Sequence, residues 1–269
     1  MSNLVLLRGG GDLASGVAYR LHKAGLRVLI TELAQPLHVR RTVAFADAVY
    51  SGETEVEGVG ARLAADATQV IAIQAEGQIA VLVDPQAKAL ETMQPLVLVD
   101  ARMLKRMPET ELDAAPLVIG LGPGFVAGEN CYAVIETMRG HDLGRVIWQG
   151  GPQADTGVPG SIAKYNRDRV LRAPADGQVQ TQFTIGDHIQ AGQTIAEVAG
   201  QPVTAPFDGV LRGLVHPDLQ VTQGMKIGDL DPRNDPSYIY RISDKSLAIG
   251  GGVLEAVLSR AGIRAQLWA

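Results

Sequence analysis

Gly9-x-Gly11-x-x-Ala14 stands between a short apolar run and a helical stripe, and Glu32 lies 21 residues beyond Gly11. That spacing is what dinucleotide binding requires. One glycine makes the tight turn, a second lets backbone approach a phosphate, a small third residue packs helix on strand, and an acid takes the ribose hydroxyls. Gly10 sits between the two glycines, and Asp12 and Leu13 open the helix. Asp12 would either place negative charge where helix N–H groups attract an anion or cap the helix. Glu32 opposes a 2′-phosphate while Arg40 and Arg41 would favour one, so NAD and NADP both stay open. Glycines at this spacing also serve a helix packed closely on a strand with no ligand at all.

A second glycine loop, Gly120-Leu121-Gly122-Pro123-Gly124-Phe125, follows another apolar run. Backbone N–H groups around Gly122 and Gly124 could cradle an anion, or simply make a tight turn. Downstream, Glu136, Arg139 and His141 gather an acid, a base and a titratable ring within six residues. Read alone they form a solvated, ion-paired turn. Cys131 could carry sulfur or selenium as a thiolate, although a lone cysteine more often packs as an inert apolar group. None of the five histidines has metal-ligand spacing, so no metal site is expected, and no catalytic residue is assigned.

These residues need elements to hold them. Asn3–Leu7 reads as a buried strand and Asp12–Ala24 as a helix with Leu13, Val17 and Leu21 on one stripe. Gly25 closes that helix, and Leu26–Thr31 is a second strand. Strand, glycine turn, helix and strand within about 30 residues make a βαβ unit. Gln69–Gln74 and Gln78–Asp84 read as a hairpin, Gln86–Met93 as a helix, and Leu96–Val99 as a strand ending at Asp100. Leu117–Ile119, Val134–Glu136 and Arg145–Trp148 are further strands, and Val253–Ala261 a short helix after three glycines.

The C-terminal half repeats itself at an offset of 32 residues. Ala173-Pro174-Ala175-Asp176-Gly177 recurs as Ala205-Pro206-Phe207-Asp208-Gly209, Ile189 maps to Val221, and Ala191-Gly192 maps to Gln223-Gly224. This pattern resembles the biotinyl/lipoyl fold, a barrel-sandwich hybrid of two quasi-symmetric halves. Carrier members of that fold bear a lysine on the hairpin joining the halves. Here that hairpin is Ala199-Gly200-Gln201. No covalent biotin or lipoate is expected, and the domain reads as a docking or scaffold module.

Composition narrows the classes. With 24 basic and 29 acidic residues and no basic run longer than Arg40-Arg41, nucleic acid is not an expected partner. One cysteine excludes an internal disulfide framework and fits a reducing compartment. The apolar run Leu4–Leu7 is too short for a signal peptide, and no stretch of about 18 apolar residues occurs. A cytoplasmic protein without membrane contact is expected.

Long strings along the chain resemble the YqeB family, described as selenium-dependent molybdenum hydroxylase system proteins. They include Arg8 to Gly16, Val39 to Phe45, Gly120 to Phe125 with Ala127-Gly128, Val134 to Thr137 with Arg139-Gly140-His141, Thr156 to Gly160, and Lys226 to Asp229 with Asp231-Pro232-Arg233. The resemblance implies an accessory factor for maturing molybdenum hydroxylases, akin to XdhC-type chaperones with a Rossmann domain. It implies as ligand a nucleotide or the molybdopterin cofactor, and as partner a molybdenum hydroxylase or its maturation proteins. It also makes Glu136, Arg139 and His141 site residues.

The sequence therefore predicts an α/β protein. A Rossmann-like parallel-sheet region spans 1–160, an all-β barrel-sandwich hybrid domain 161–245, and a C-terminal helix and tail 246–269. The alternative is an NAD(P)-dependent oxidoreductase, which lacks a recognisable catalytic constellation. Whether the chain is an enzyme, and whether it forms a homo-oligomer, stays open.

Overall fold

The computed structural model describes residues 3–104, 106–155 and 168–267. The fold is mixed α/β, with one nine-stranded sheet and two four-stranded antiparallel sheets. The chain divides into two compact units. The first holds Met1–Pro36, Phe45–Thr156 and Ile242–Ala269; the second holds Leu37–Ala44 with Gly157–Arg241. Both units are discontinuous in sequence, unlike the three consecutive segments expected. Residues 37–44 group with the β-rich unit, and the C-terminal helices group with the large sheet.

In the first unit the elements run β1 (Leu4–Arg8), α1 (Asp12–Lys23), β2 (Arg27–Glu32), α2 (Ala48–Ser51), β3 (Glu53–Val56) and β4 (Val59–Ala64). There follow α3 (Ala67–Ala75), β5 (Ile79–Val83), α4 (Ala89–Met93), β6 (Val97–Asp100), β7 (Leu117–Leu121), β8 (Ala133–Ile135) and β9 (Val146–Ile147). The sheet order is β3-β4-β5-β2-β1-β6-β7-β8-β9, parallel throughout except for the antiparallel edge strands β3 and β9. All five residues of β1 are buried, as expected for a strand covered on both faces. Leu4, Leu6, Leu29, Leu98 and Val118 pack with Val70 and Ile73 of α3 and Met93 of α4. Helix α1 ends as its sequence requires. Gly25 takes φ +87° while its N–H bonds to His22 O and that of Leu26 to Leu21 O.

Two local readings are corrected. Ala67–Ala75 is helical, not the first arm of a hairpin. Asp66 caps it by accepting from Gln69 N, and Val70, Ile73 and Gln74 form its buried side. The run Val70-Ile71-Ala72-Ile73 is continuously apolar, and so short a run fits a buried strand and a helix segment alike. Helix α5 (Asp244–Ser259), followed by α6 (Ala261–Leu267), starts well before Val253 and runs through the three glycines. Those glycines do not end the helix, because two of them are contact points. A Cβ on Gly250 would lie 2.5 Å from Gly16 O of α1, and one on Gly252 2.1 Å from Gly144 O. Ser243 caps α5 by accepting from Ser246 N. No single helix among the described residues is long and apolar enough to cross a membrane.

The second unit contains β10 (Val170–Arg172), β11 (Gly177–Gln180), β12 (His188–Ile189), β13 (Thr194–Val198), β14 (Gln201–Thr204), β15 (Gly209–Leu214), β16 (Gln220–Val221) and β17 (Lys226–Asp231). Its sheets, β10-β17-β15-β12 and β14-β13-β11-β16, are copies of one order, each half lending strands to both. The sequence repeat is thus a structural one, and its hydrogen bonds are reciprocal. Asp208 accepts from Ala191 N, and 32 residues offset, Asp176 accepts from Gln223 N, both at 2.7 Å. Gly192 N bonds to Ala205 O as Gly224 N does to Ala173 O. The β13–β14 turn puts Ala199 and Gly200 at positive φ, the geometry of a two-residue hairpin, and Lys226 opens strand β17.

A buried ionic network ties this unit together. Asp229 is fully buried and accepts from Arg169 Nη1 at 2.6 Å and Arg212 Nε at 2.8 Å. Asp231 pairs with Arg212 and, at 2.5 Å, with Arg233. Burial works against the Asp229 charge, but Lys226, Arg212 and Arg169 outweigh it and hold the carboxyl below its ordinary range.

Candidate functional site

The N-terminal glycine turn closes on itself. Gly9, at φ +94°, donates to Thr31 O at 2.8 Å, and Gly10 N donates to Glu32 Oε1 at 2.7 Å. The other Glu32 oxygen accepts from Leu33 N. Gly10 O accepts from Ala46 N and from the Ser15 hydroxyl. A Cβ on Gly10 would lie 2.9 Å from Ile30 Cγ2 and 3.0 Å from Ala46 N. The glycine serves a close crossing of the 45–46 segment over the turn. The structure brings Gly10 and Glu32 together as the spacing predicts, yet the N–H groups of Gly9 and Gly10 already have internal acceptors. As it stands, neither is free to bind a phosphate.

The remaining expected residues fall into separate places. Gly11 caps α1, where Leu13 is half-buried, and Asp12 accepts from Ser246 Oγ at 3.0 Å. Arg40 and Arg41, expected as partners of the Glu32 site, do not group with the unit that holds Glu32. They lie in the second, where buried Arg40 donates to Tyr238 O and Arg241 O at 2.9 Å and Arg41 opens a 3-10 turn. Gly122 and Gly124 have positive φ, and their Cβ positions would meet Thr137 Oγ1 at 2.6 Å and Arg106 O at 2.3 Å. That loop is therefore also glycine-rich for close packing. Glu136 is buried and accepts from Met138 N and Gln153 N, Arg139 grips Asp244 through two bonds of 2.6 and 2.8 Å, and His141 is exposed in a turn. Asp12, Glu136, Arg139 and Asp155 surround Lys245. Its ammonium is drawn below the ordinary range by burial and by Arg139, against those three carboxylates. Burial raises the Cys131 thiol to about 11, which suits a packing residue and not a sulfur carrier. Among the described residues no three His, Cys, Asp or Glu side chains gather as a metal site would require.

The strongest constellation lies where the strand order reverses. Strands β2, β5 and β4 extend to one side of β1, and β6, β7 and β8 to the other, so the carboxyl ends of β1 and β6 border the crevice where ligands bind in open sheets of this kind. Arg8 and Asp100 are register partners at those two ends and project on the same face. Asp100, 1% exposed, accepts from Arg102 Nε at 3.0 Å, from Arg102 Nη2 at 2.6 Å and from Thr110 Oγ1 at 2.5 Å. Glu109 bonds Arg102 Nη1 at 2.6 Å, and that hydrogen bond draws its carboxyl down to about 2. Burial opposes the charge on Arg102, but bonds to Asp100 and Glu109 hold it above its ordinary value. Arg8 is the contrary case. Burial first, then the adjacent Arg102 cation, pulls it below its ordinary value. Arg8, Glu109 and Thr110 line a cavity of about 340 Å³ together with Gln86 and Glu111 and the apolar Pro85, Leu90, Leu98 and Ala114.

None of these five was selected by the reading of motifs, although Arg8 and Asp100 carry a signal. Each is a lone charged residue closing an otherwise apolar strand, which places it at a sheet's carboxyl edge. Arg102, Glu109 and Thr110 sit in a loop without local pattern, and only folding brings them to Arg8.

Fold and site together define an α/β protein with an open, mostly parallel sheet and a charged crevice at its reversal point. Over 255 residues, 95% of the chain, it is 48% identical to the Escherichia coli (strain K12) protein named "Uncharacterized protein YqeB", and it is a homologue of that YqeB across this length. The chain spans 47% of the relative's own length. No family model matches. Among solved structures, an aspartoacylase family protein from Mesorhizobium loti aligns at TM-score 0.27 and 8% identity over 84% of each chain. The ectoine utilization protein EutE (DoeB) from Ruegeria pomeroyi aligns at 0.24 and 10%, over 84% of this chain and 85% of that one. TM-scores this low define no common fold.

Proposed function

We propose that the chain is an accessory factor in maturing molybdenum hydroxylases, and that it holds a nucleotide-like or pterin-like anion at the β1–β6 edge of a Rossmann-like unit. In this reading the repeated β-unit is a barrel-sandwich hybrid that docks the hydroxylase or another maturation protein in the cytoplasm. The observation that carries the ligand site is that buried Arg8 and Asp100 stand in register at the point of strand-order reversal, with Arg8 lining a cavity. The maturation role is what the resemblance of Arg8-Gly9-Gly10-Gly11-Asp12 and the other strings to the YqeB family implies.

An NAD(P)-dependent oxidoreductase is the weaker reading. Glu32 stands where a ribose-binding acid belongs, but its carboxylate and the Gly10 N–H engage each other, so a pyrophosphate does not fit the turn without rearrangement. Calorimetric titration with NAD, NADP, ATP, CTP and molybdopterin separates the two. The maturation reading expects binding of a mononucleotide or the pterin and no hydride transfer. Tight NAD binding with reduction of any substrate would overturn it.

A further inference from the structure

Arg8 is a buried guanidinium whose contacts are all long. Its side chain is 8% exposed. It reaches Thr110 Oγ1 at 3.2 Å, Glu109 Oε1 at 3.4 Å and Pro85 O at 3.5 Å. Charge-assisted bonds normally close to about 2.7–2.9 Å. Both nearby carboxylates achieve that with Arg102 instead. A guanidinium offers five donors in a planar fork and cannot shed its proton at neutral pH, so it stands here under-compensated in a low-dielectric place. It opens on the cavity of about 340 Å³, near the lower bound of small-molecule sites. Pro85, Leu90, Leu98 and Ala114 give the cavity its apolar lining, and Gln86 and Glu111 are its remaining polar residues. Glu109, its side chain 62% exposed, stands at the mouth and contributes the weak contact to Arg8.

We propose that Arg8 seats the carboxylate or phosphate of a small ligand with one apolar ring, and that Glu109 is an internal stand-in for that anion, displaced as the ligand enters. The ring lies against Pro85, Leu90, Leu98 and Ala114, and two anion oxygens take the Arg8 fork, which a planar acid matches and an ammonium or neutral amide does not. Arg102 keeps Asp100 when Glu109 leaves, so the exchange leaves no buried carboxylate unpaired. The cavity's size selects a single ring system with its acid and excludes a whole dinucleotide. This deepens the reading of the crevice as a ligand site and rests on it.

The probes are benzoate, phenyl phosphate and neutral benzamide, titrated into the full chain by calorimetry. Saturable binding of benzoate or phenyl phosphate, but not benzamide, is expected. Arg8→Gln should weaken it roughly ten- to hundredfold, the range for a lost charged hydrogen bond. Glu109→Gln, a change at an exposed side chain, should tighten it severalfold by removing the competitor. Absence of acid binding in both the unaltered chain and Glu109→Gln overturns the proposal, as does equal affinity for benzamide. An Arg8→Gln variant that fails to fold leaves the Glu109→Gln result decisive: no tightening overturns the proposal. Nucleotide or pterin binding unaffected by Arg8→Gln would sink this inference while sparing the maturation role. Arg8-dependent acid binding without any nucleotide or pterin binding would do the reverse.

Discussion

Asp229→Ala is expected to destabilise the second unit by about 3–5 kcal/mol, the cost of removing one partner from a buried ion pair. Asp229 is fully buried, and its loss would leave Arg169 and Arg212, themselves 12% and 10% exposed, without their shared carboxylate. The same network sets an acid limit. Its carboxyl titrates lower in the folded chain than the ordinary value of about 3.9 in an unfolded one. The network's contribution is therefore complete above that unfolded value and is lost as pH falls through the folded one. Urea unfolding followed between neutral and strongly acid pH checks both points. Asp229→Ala should lower the midpoint at neutral pH and flatten the acid decline. A variant within about 1 kcal/mol of the parent would show that the network adds nothing.

The second large effect is expected at the crossing of α1 and α5. Gly16→Ala puts a Cβ 2.5 Å from Ser246 O and 2.6 Å from Ser246 C, backbone atoms that cannot turn aside. The helices must separate, at a cost of about 1–3 kcal/mol or more. Gly251→Ala on α5, the other helix of the crossing, is the control, since nothing lies within 4 Å of its Cβ. Removing a mid-helix glycine there should stabilise by up to about 1 kcal/mol. Opposite signs in thermal unfolding confirm that these glycines differ in packing and not in propensity. Matching signs would contradict it. The crossing also matters for the site region, because Ser246 bonds Asp12 at the opening of α1.

Much of the architecture was legible because it is written locally. Four apolar residues, then Arg8 and three glycines, a stripe of Val17, Ala18 and Leu21, and Gly25 at the helix end specify β1-α1-β2. The repeat was legible because each half must supply the same turns and core positions, and the structure realises it strand for strand. The misreadings have physical causes. Residues 69–74 are apolar enough to satisfy a strand pattern over a short window, and the cap at Asp66 decides for helix. Gly250 and Gly252 looked like breakers, yet they permit close approach to distant backbone at Gly16 and Gly144, which no local pattern encodes. Gly10, Gly122 and Gly124 in the two expected phosphate loops likewise stand where a Cβ would crowd neighbouring atoms. The charged crevice is a long-range object, with Arg8 about a hundred residues from Thr110, and only sheet topology brings them into contact.

Hydrogen exchange of the full chain with and without saturating molybdopterin or a bound mononucleotide tests the placement of the ligand most directly. Slowed exchange centred on residues 85–90 and 106–111, with Gly9 to Gly11 unchanged, is the predicted outcome. Protection confined to the glycine turn and the Phe45–Ala46 segment above it would contradict the account.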